Sequence, residues 1–321
     1  MTTVLAHGEL LIDFVPTVSG VTLIEAPAFI KAPGGAPANV AVGLAQLGVS
    51  AGFLGQVGDD AFGHFLAQTL RDKNVDVSTL TFSREARTAL AFVSLKADGE
   101  RDFMFYRNPS ADMLYTPADV DQHAVAIKAA KCFHYGSISL IDEPSRSAAL
   151  RAIELASAAG SLISYDPNLR LPLWSSAEAA RAGMLSAWHY AHVVKVSEEE
   201  LEFLTGLSDI DAAVKKLWHA NLRALFITRG KDGCYYYTSQ FHGEVGGFSV
   251  TAVDTTGAGD GFVAGILKGL LEQPLGFDDE TTLRKLCRYA NAVGAITTTK
   301  RGAIPALPTD AEVRSIMSHE S

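Results

Sequence analysis

The chain has 321 residues, 48% of them hydrophobic and 20% charged, and a formal net charge of −9. This length suits one large domain, or a core with a small extension, of ordinary globular composition. The acidic balance argues against general nucleic-acid binding, which needs a basic face, but an amide cradle with a divalent ion can still hold a nucleotide.

Apolar runs at 4–6, 50–56, 130–135, 162–166, 192–196 and 224–228 read as core strands. Helix-like patterns near 37–48, 60–73, 143–159, 177–189 and 211–220 fall between them. Short apolar strands alternating with helices predict an α/β fold, a mainly parallel sheet covered on both faces. Two regions break the rhythm: 10–15 with 23–31, and 89–96 with 101–106, read as strands not followed by helices. Between the last two, Ala97-Asp98-Gly99-Glu100 carries an Asp-Gly hairpin signal. The expectation is one domain over 1–321 with a small discontinuous β-sheet lid, built from insertions at about 10–32 and about 88–107. A strand at 234–238, a helix at 283–297, a turn at 300–303 and a last helix near 309–318 complete the reading.

Cys132, Cys234 and Cys287 are odd in number and widely spaced, which offers no disulfide framework and no Cys-rich metal site. They read as buried small hydrophobes. No segment approaches the ~18 consecutive apolar residues of a membrane span. The N-terminal MTTVLAHGELLIDF lacks the basic flank and unbroken apolar core of a signal peptide. The expectation is a cytoplasmic protein without membrane or nucleic-acid partners.

The most informative stretch is Asp254-Thr255-Thr256-Gly257-Ala258-Gly259-Asp260, directly ahead of a helical apolar pattern at Phe262, Ile266, Leu267, Leu270 and Leu271. Exposed amides at a helix start form an anion site that the helix dipole strengthens. A carboxylate beside an anion site is electrostatically awkward, and the simplest task for Asp260 is to take a proton from a hydroxyl that attacks a bound phosphate. Pro33-Gly34-Gly35-Ala36-Pro37-Ala38-Asn39 reads either as a turn with a helix cap or as a floor where a polyol meets the backbone and Asn39. Asp13, closing an apolar strand, is either a solvated strand end or an acceptor for two sugar hydroxyls. In Lys195-Val196-Ser197-Glu198-Glu199-Glu200, Ser197 and Glu200 form a capping box, which explains the acids by itself. An acid here can also orient water on a nucleotide-bound Mg²⁺, and Lys195 can contact phosphate. Thr228-Arg229-Gly230-Lys231-Asp232-Gly233 is a hairpin turn or a glycine loop for a nucleotide. The P-loop, dinucleotide and nucleophile-elbow patterns are absent.

Together these segments resemble the PfkB (ribokinase-like) carbohydrate kinase family, particularly its fructokinases, along nearly the whole chain. Gly8–Phe14, Gly34–Ala41 and Gly55–Gly63 resemble its first signature region and Asp254–Asp260 its second. Asp166-Pro167-Asn168-Leu169-Arg170 and Lys195–Glu200 look specifically fructokinase-like. The resemblance implies a ribokinase-like three-layer core, a sugar under the lid and ATP across the C-terminal edge of the sheet. Asp260 then corresponds to the catalytic base, with Gly257, Ala258 and Gly259 as the anion hole. Asp13, Gly34, Gly35 and Asn39 fall at sugar contacts, and Arg107 and Arg170 where relatives hold substrate or the transferring phosphate. Glu198 matches the acid of the family's N-x-x-E motif, which supports magnesium, with Lys195 replacing the Asn. Thr228, Gly230, Gly233 and Asn291 align with nucleotide contacts. Asp254 and Thr256, with carbonyls near Thr297 and Gly302, resemble a monovalent-cation site for K⁺. The implied activity is ATP-dependent phosphorylation of D-fructose to fructose 6-phosphate, in a homodimer through the β-lid. Alternatives are a kinase for 2-keto-3-deoxygluconate or aminoimidazole riboside, and a non-catalytic sugar-binding regulator.

Overall fold

Runs that are apolar on both faces must be covered on both faces, and the chain meets this demand by stacking its strands between helices. The computed structural model describes residues 2–18, 20–95 and 101–318. In chain order the strands are β1 (Val4–His7), β2 (Leu11–Pro16), β3 (Phe29–Gly34), β4 (Ala51–Gly58), β5 (Leu80–Ser83), β6 (Leu90–Leu95) and β7 (Arg101–Tyr106). They continue as β8 (Cys132–Gly136), β9 (Leu162–Asp166), β10 (Val193–Ser197), β11 (Ala224–Thr228), β12 (Cys234–Tyr237) and β13 (His242–Val245). Among the described residues nine of them form the main sheet, in the order β13-β12-β11-β10-β9-β8-β1-β4-β5. All neighbours are parallel except β11–β12 and β12–β13. The C-terminal ends of β1, β8, β9, β10 and β11 therefore share one edge, where ligands of open parallel sheets gather.

Strand alternation divides the core. Leu225 and Ile227 of β11 join Phe133, Tyr135, Tyr165 and Trp188 on one face, and Phe226 points to the other. On that second face the helix Ala258–Glu272 lies against the helices Ala36–Gln46 and Glu280–Thr297. Its Gly261, Gly265 and Gly269 recur every four residues, a stripe along one side. A Cβ on Gly265 would stand 2.8 Å from the Ala290 Cα, and one on Gly269 would stand 2.6 Å from Leu286. The glycines are thus a packing device that lets two helix backbones approach.

The second sheet has the order β3-β2-β6-β7, with β2–β6 parallel and the outer pairs antiparallel. Both predicted excursions contribute to it, one strand pair each. One strand of this sheet departs clearly from the sequence reading. Residues 23–31 were expected as a strand, but β3 starts at Phe29, because its hydrogen-bonded register with β2 runs from Phe29 opposite Pro16 to Gly34 opposite Leu11. The 97–100 turn lies outside the described residues. Strands β5 and β13 were not foreseen: Leu-Thr-Phe-Ser is too short to show a period, and His-Gly-Glu-Val is mostly polar. No helix among the described residues is long and apolar enough to cross a membrane.

The close helix contact gives a stability test. Gly265→Val adds helix propensity but drives side-chain atoms into Ala290, so overpacking should dominate with a net loss of about 1–3 kcal/mol in urea unfolding. An unchanged or raised midpoint would contradict the packing account.

Candidate active site

Asp260 is the third residue of the helix that begins at Ala258, behind Gly257 in the left-handed conformation (φ 80°). A Cβ on Gly257 would also stand 2.5 Å from that of Ala303, so the turn is both conformationally and sterically reserved for glycine. The Ala258 amide already has a long bond to the Thr255 carbonyl, 3.3 Å. Asp254 fixes the approach: one carboxylate oxygen accepts from the Thr256 N–H and hydroxyl (2.9 and 2.7 Å), the other from the Gly302 N–H (2.9 Å). Asp254, Thr256 and Gly302 are thereby brought together, and Thr297 is fully buried on the adjoining helix. The two carboxylates of the motif hold different posts, one bracing the loop and one inside the site.

Asp260 is 7% exposed and accepts a 2.8 Å hydrogen bond from Asn39 Nδ2. Burial, then the nearby Asp166 charge, push its carboxyl up to about 6, against the opposing pull of Asn39, Lys195 and Arg170. The Asn39 Oδ1 is buried without a partner in the protein, so a donor from a ligand would satisfy it. Asp13 reaches the same floor, since a Cβ on Gly34 would collide with its carboxylate at 2.1 Å. Gly35 (φ 111°) opens the Asn39 helix, where any Cβ would meet the Glu9 carbonyl at 2.3 Å. Asn39, Arg170, Lys195 and the Gly257–Gly259 turn thus gather round Asp260, with Asp13, Gly34 and Gly35 on the floor.

Several predicted residues have partners within the protein. Arg107 forms a buried ion pair with Asp112, which also accepts from Ser110, and its Nε has no partner in the protein. Glu198 is half-exposed at the start of the helix Glu198–Thr205 and faces Arg229 at 3.6 Å. The Thr228 hydroxyl donates to the Val196 carbonyl at 3.3 Å. Asn291 donates to the carbonyls of Val245 and Gly246 (3.0 and 3.1 Å), and Gly233 leaves room for that same loop, 2.1 Å from the Val245 oxygen to a Cβ. Their visible work is to hold the loop after β13. Gly230 (φ 55°) faces open space.

Sequence reasoning missed four acids as site residues. Asp166 closes β9 and lies 3.2 and 3.3 Å from the Lys195 Nζ through its two oxygens. Its signal was the one read at Asp13, a carboxylate expected to close an apolar strand. Asp13 instead lies inside β2, paired with Ala32 and Ala91, and Asp166 is the one that truly ends its strand. Glu200 caps its helix and also accepts from the Leu169 N–H at 2.7 Å, tying the Arg170 loop to the start of that helix. Glu9 is buried, accepts from the Ala36 N–H at 2.9 Å, and is pushed up to about 7 by burial. An acid inside the apolar run His7–Phe14 was the available clue. Asp112, in the short 3-10 helix Ala111–Leu114 after β7, gave none.

The pfkB family carbohydrate kinase profile matches residues 1–310. The chain is 57% identical over 315 residues to fructokinase-2 of Solanum lycopersicum, covering 98% of this chain and 95% of that one. It is 58% identical to fructokinase-1 of Zea mays, covering 98% and 97%. Among solved structures it resembles the fructokinase with bound ATP from Xylella fastidiosa (TM-score 0.91, 34% identity, 100% and 99% covered). It also resembles that of Vibrio cholerae O395 in fructose, ADP and calcium ion bound form (TM-score 0.87, 36% identity, 98% and 99% covered). With the profile spanning nearly the whole chain and the Asp260 helix start assembled, the chain belongs to the pfkB family of carbohydrate kinases, phosphotransferases whose acceptor is an alcohol group.

Proposed function

We propose that this chain is an ATP-dependent fructokinase, which converts D-fructose and ATP to D-fructose 6-phosphate and ADP. The observation that carries the reading is the buried Asp260 carboxylate, held by Asn39 at a helix start. That the relatives are named fructokinases, and that one solved neighbour holds fructose, supports fructose as the substrate. Asp260 accepts the proton of the primary hydroxyl as that oxygen attacks the γ-phosphorus in line and the β–γ bridging bond breaks. The Gly257–Gly259 turn and helix dipole face the charge that develops on the transferring group. Arg170, its Nη1 fixed on the Leu169 carbonyl at 2.9 Å, adds a cation beside Asp260. We assign Asp13, Gly34, Gly35 and Asn39 to the sugar, and Lys195, Thr228, Gly230, Gly233 and Asn291 to the nucleotide side. We assign Arg107, its Nη2 held by Asp112 and its Nε without a protein partner, to the substrate or the transferring phosphate.

Among the described residues no three His, Cys, Asp or Glu side chains converge as a metal cage. A magnesium ion carried by nucleotide phosphates needs none, because it keeps several waters and takes one or two carboxylates. Glu198, its side chain 45% exposed, fits that role through water. When bound, the ion neutralises phosphate charge. The braced loop of Asp254, Thr256, Thr297 and Gly302 is the proposed K⁺ position. Three free, buried cysteines fit a reducing cytoplasm.

ADP release across a sugar panel tests the reading: fructose should give the highest kcat/KM, and Asp260→Asn should cut turnover by about 10²–10⁴-fold while sugar binding persists. Preference for 2-keto-3-deoxygluconate or a riboside would overturn the substrate, near-normal Asp260→Asn turnover would overturn the base, and sugar binding without turnover would favour a regulator.

The pH profile follows from the raised carboxyl. Asp260 must be ionised to accept a proton, so kcat/KM should be flat at neutral pH and lost as pH falls through about 6. An acid limb at the ordinary aspartate value would contradict the burial account.

We also propose a homodimer through the lid. Ile30, 60% exposed, stands opposite Val15, 38% exposed, on neighbouring lid strands. Sedimentation should show a dimer that Ile30→Lys converts to monomer; a monomeric parent, or an unaffected dimer, would contradict this.

A further inference from the structure

We infer that Asp166 and Lys195 work as one unit, in which Asp166 fixes the ammonium against the Gly259 turn and shields Asp260 from its charge. This rests on the reading of Asp260 as base. Strands β9 and β10 are parallel, with Val193 beside Ser164 and Val194 beside Tyr165, so the next step of the register sets Lys195 beside Asp166. Both side chains are nearly enclosed, 11% and 3% exposed, and Nζ bonds both carboxylate oxygens almost equally. A Cβ on Gly259 would stand only 2.9 Å from that Nζ, so the ammonium lies directly against the turn assigned to the phosphoryl group.

A buried ion pair gains little stability over an apolar pair of the same size, because both ions lose their water. Its value here is local. An ammonium at the turn favours an incoming phosphoryl oxygen, but alone it would also favour the Asp260 anion and so weaken the base. Asp166 opposes that second effect while keeping the first. Asp260 is faced by Asn39 from the helix Ala36–Gln46, by Arg170 after β9, by Asp166 on β9 and by Lys195 on β10. Lys195 is faced in addition by Glu200 and by the buried His134, which burial and then the ammonium hold neutral. Burial alone would lower the Lys195 pKa, but the Asp166, Glu200 and Asp260 charges outweigh it and keep the group charged.

The experiment is the pH profile of kcat/KM for fructose at saturating MgATP, for the parent, Asp166→Asn, Lys195→Met and Asp260→Asn. Asp166→Asn should move the acid limb to lower pH by about half a unit, with turnover on the plateau falling about two- to threefold as the base weakens. Lys195→Met should move the limb to higher pH. If Asp166→Asn does not fold, Asp166→Asn combined with Lys195→Met, which leaves no unpaired buried ion, should return the limb towards the parent position. Limbs that stay in place, or move the same way in both single variants, overturn the pairing and leave the base intact. Near-normal Asp260→Asn turnover overturns the base instead.

Discussion

The site depends on one constraint, a carboxylate kept out of water beside a helix start. Asp260 is buried on a helix packed tightly against two others, and lost solvation is the largest influence on its proton affinity. That affinity matters because a base must hold a proton in the transition state without holding it at rest. The glycine stripe Gly261–Gly265–Gly269 brings the helix close to its neighbour, and Gly257 turns the chain so that the helix starts where the strand ends converge. Close packing, the turn and the raised carboxyl are three links of a single chain of cause.

The same constraint orders the other charges. Asp254 spends both oxygens on loop donors, so it acts as a brace. Lys195 is committed to Asp166, Arg107 to Asp112 and Arg170 to a backbone carbonyl. Each cation of the site therefore has a protein partner before any phosphate arrives. A site built this way is already arranged for charge transfer, since few dipoles must turn when the phosphoryl group moves.

Much of this was legible in the sequence, for identifiable reasons. The apolar runs at 162–166 and 224–228 became strands with those limits, because residues buried on both faces leave a continuous signal. The Ser197–Glu200 capping box formed as expected, being decided within four residues. The second sheet was legible as two excursions, but the start of β3 was not, since register is set by a partner strand distant in sequence. Three of the four missed acids share that cause. Asp166, Glu200 and Glu9 matter through neighbours on other elements, and only the fold joins Asp166 to Lys195, Glu200 to the Leu169 amide or Glu9 to the Asn39 helix. Asn291 and Gly233 show the converse: their positions matched nucleotide contacts, while the fold shows them also gripping one loop.

The central claim is that Asp260 takes the proton from the hydroxyl that becomes phosphorylated. A crystal structure with fructose and a non-hydrolysable ATP analogue tests it most directly. The 6-hydroxyl oxygen is predicted to lie about 2.6–3.2 Å from an Asp260 carboxylate oxygen, with the γ-phosphate on its far side in line for attack. A 6-hydroxyl held by Asp13 or Asp166, out of reach of Asp260, would contradict the account.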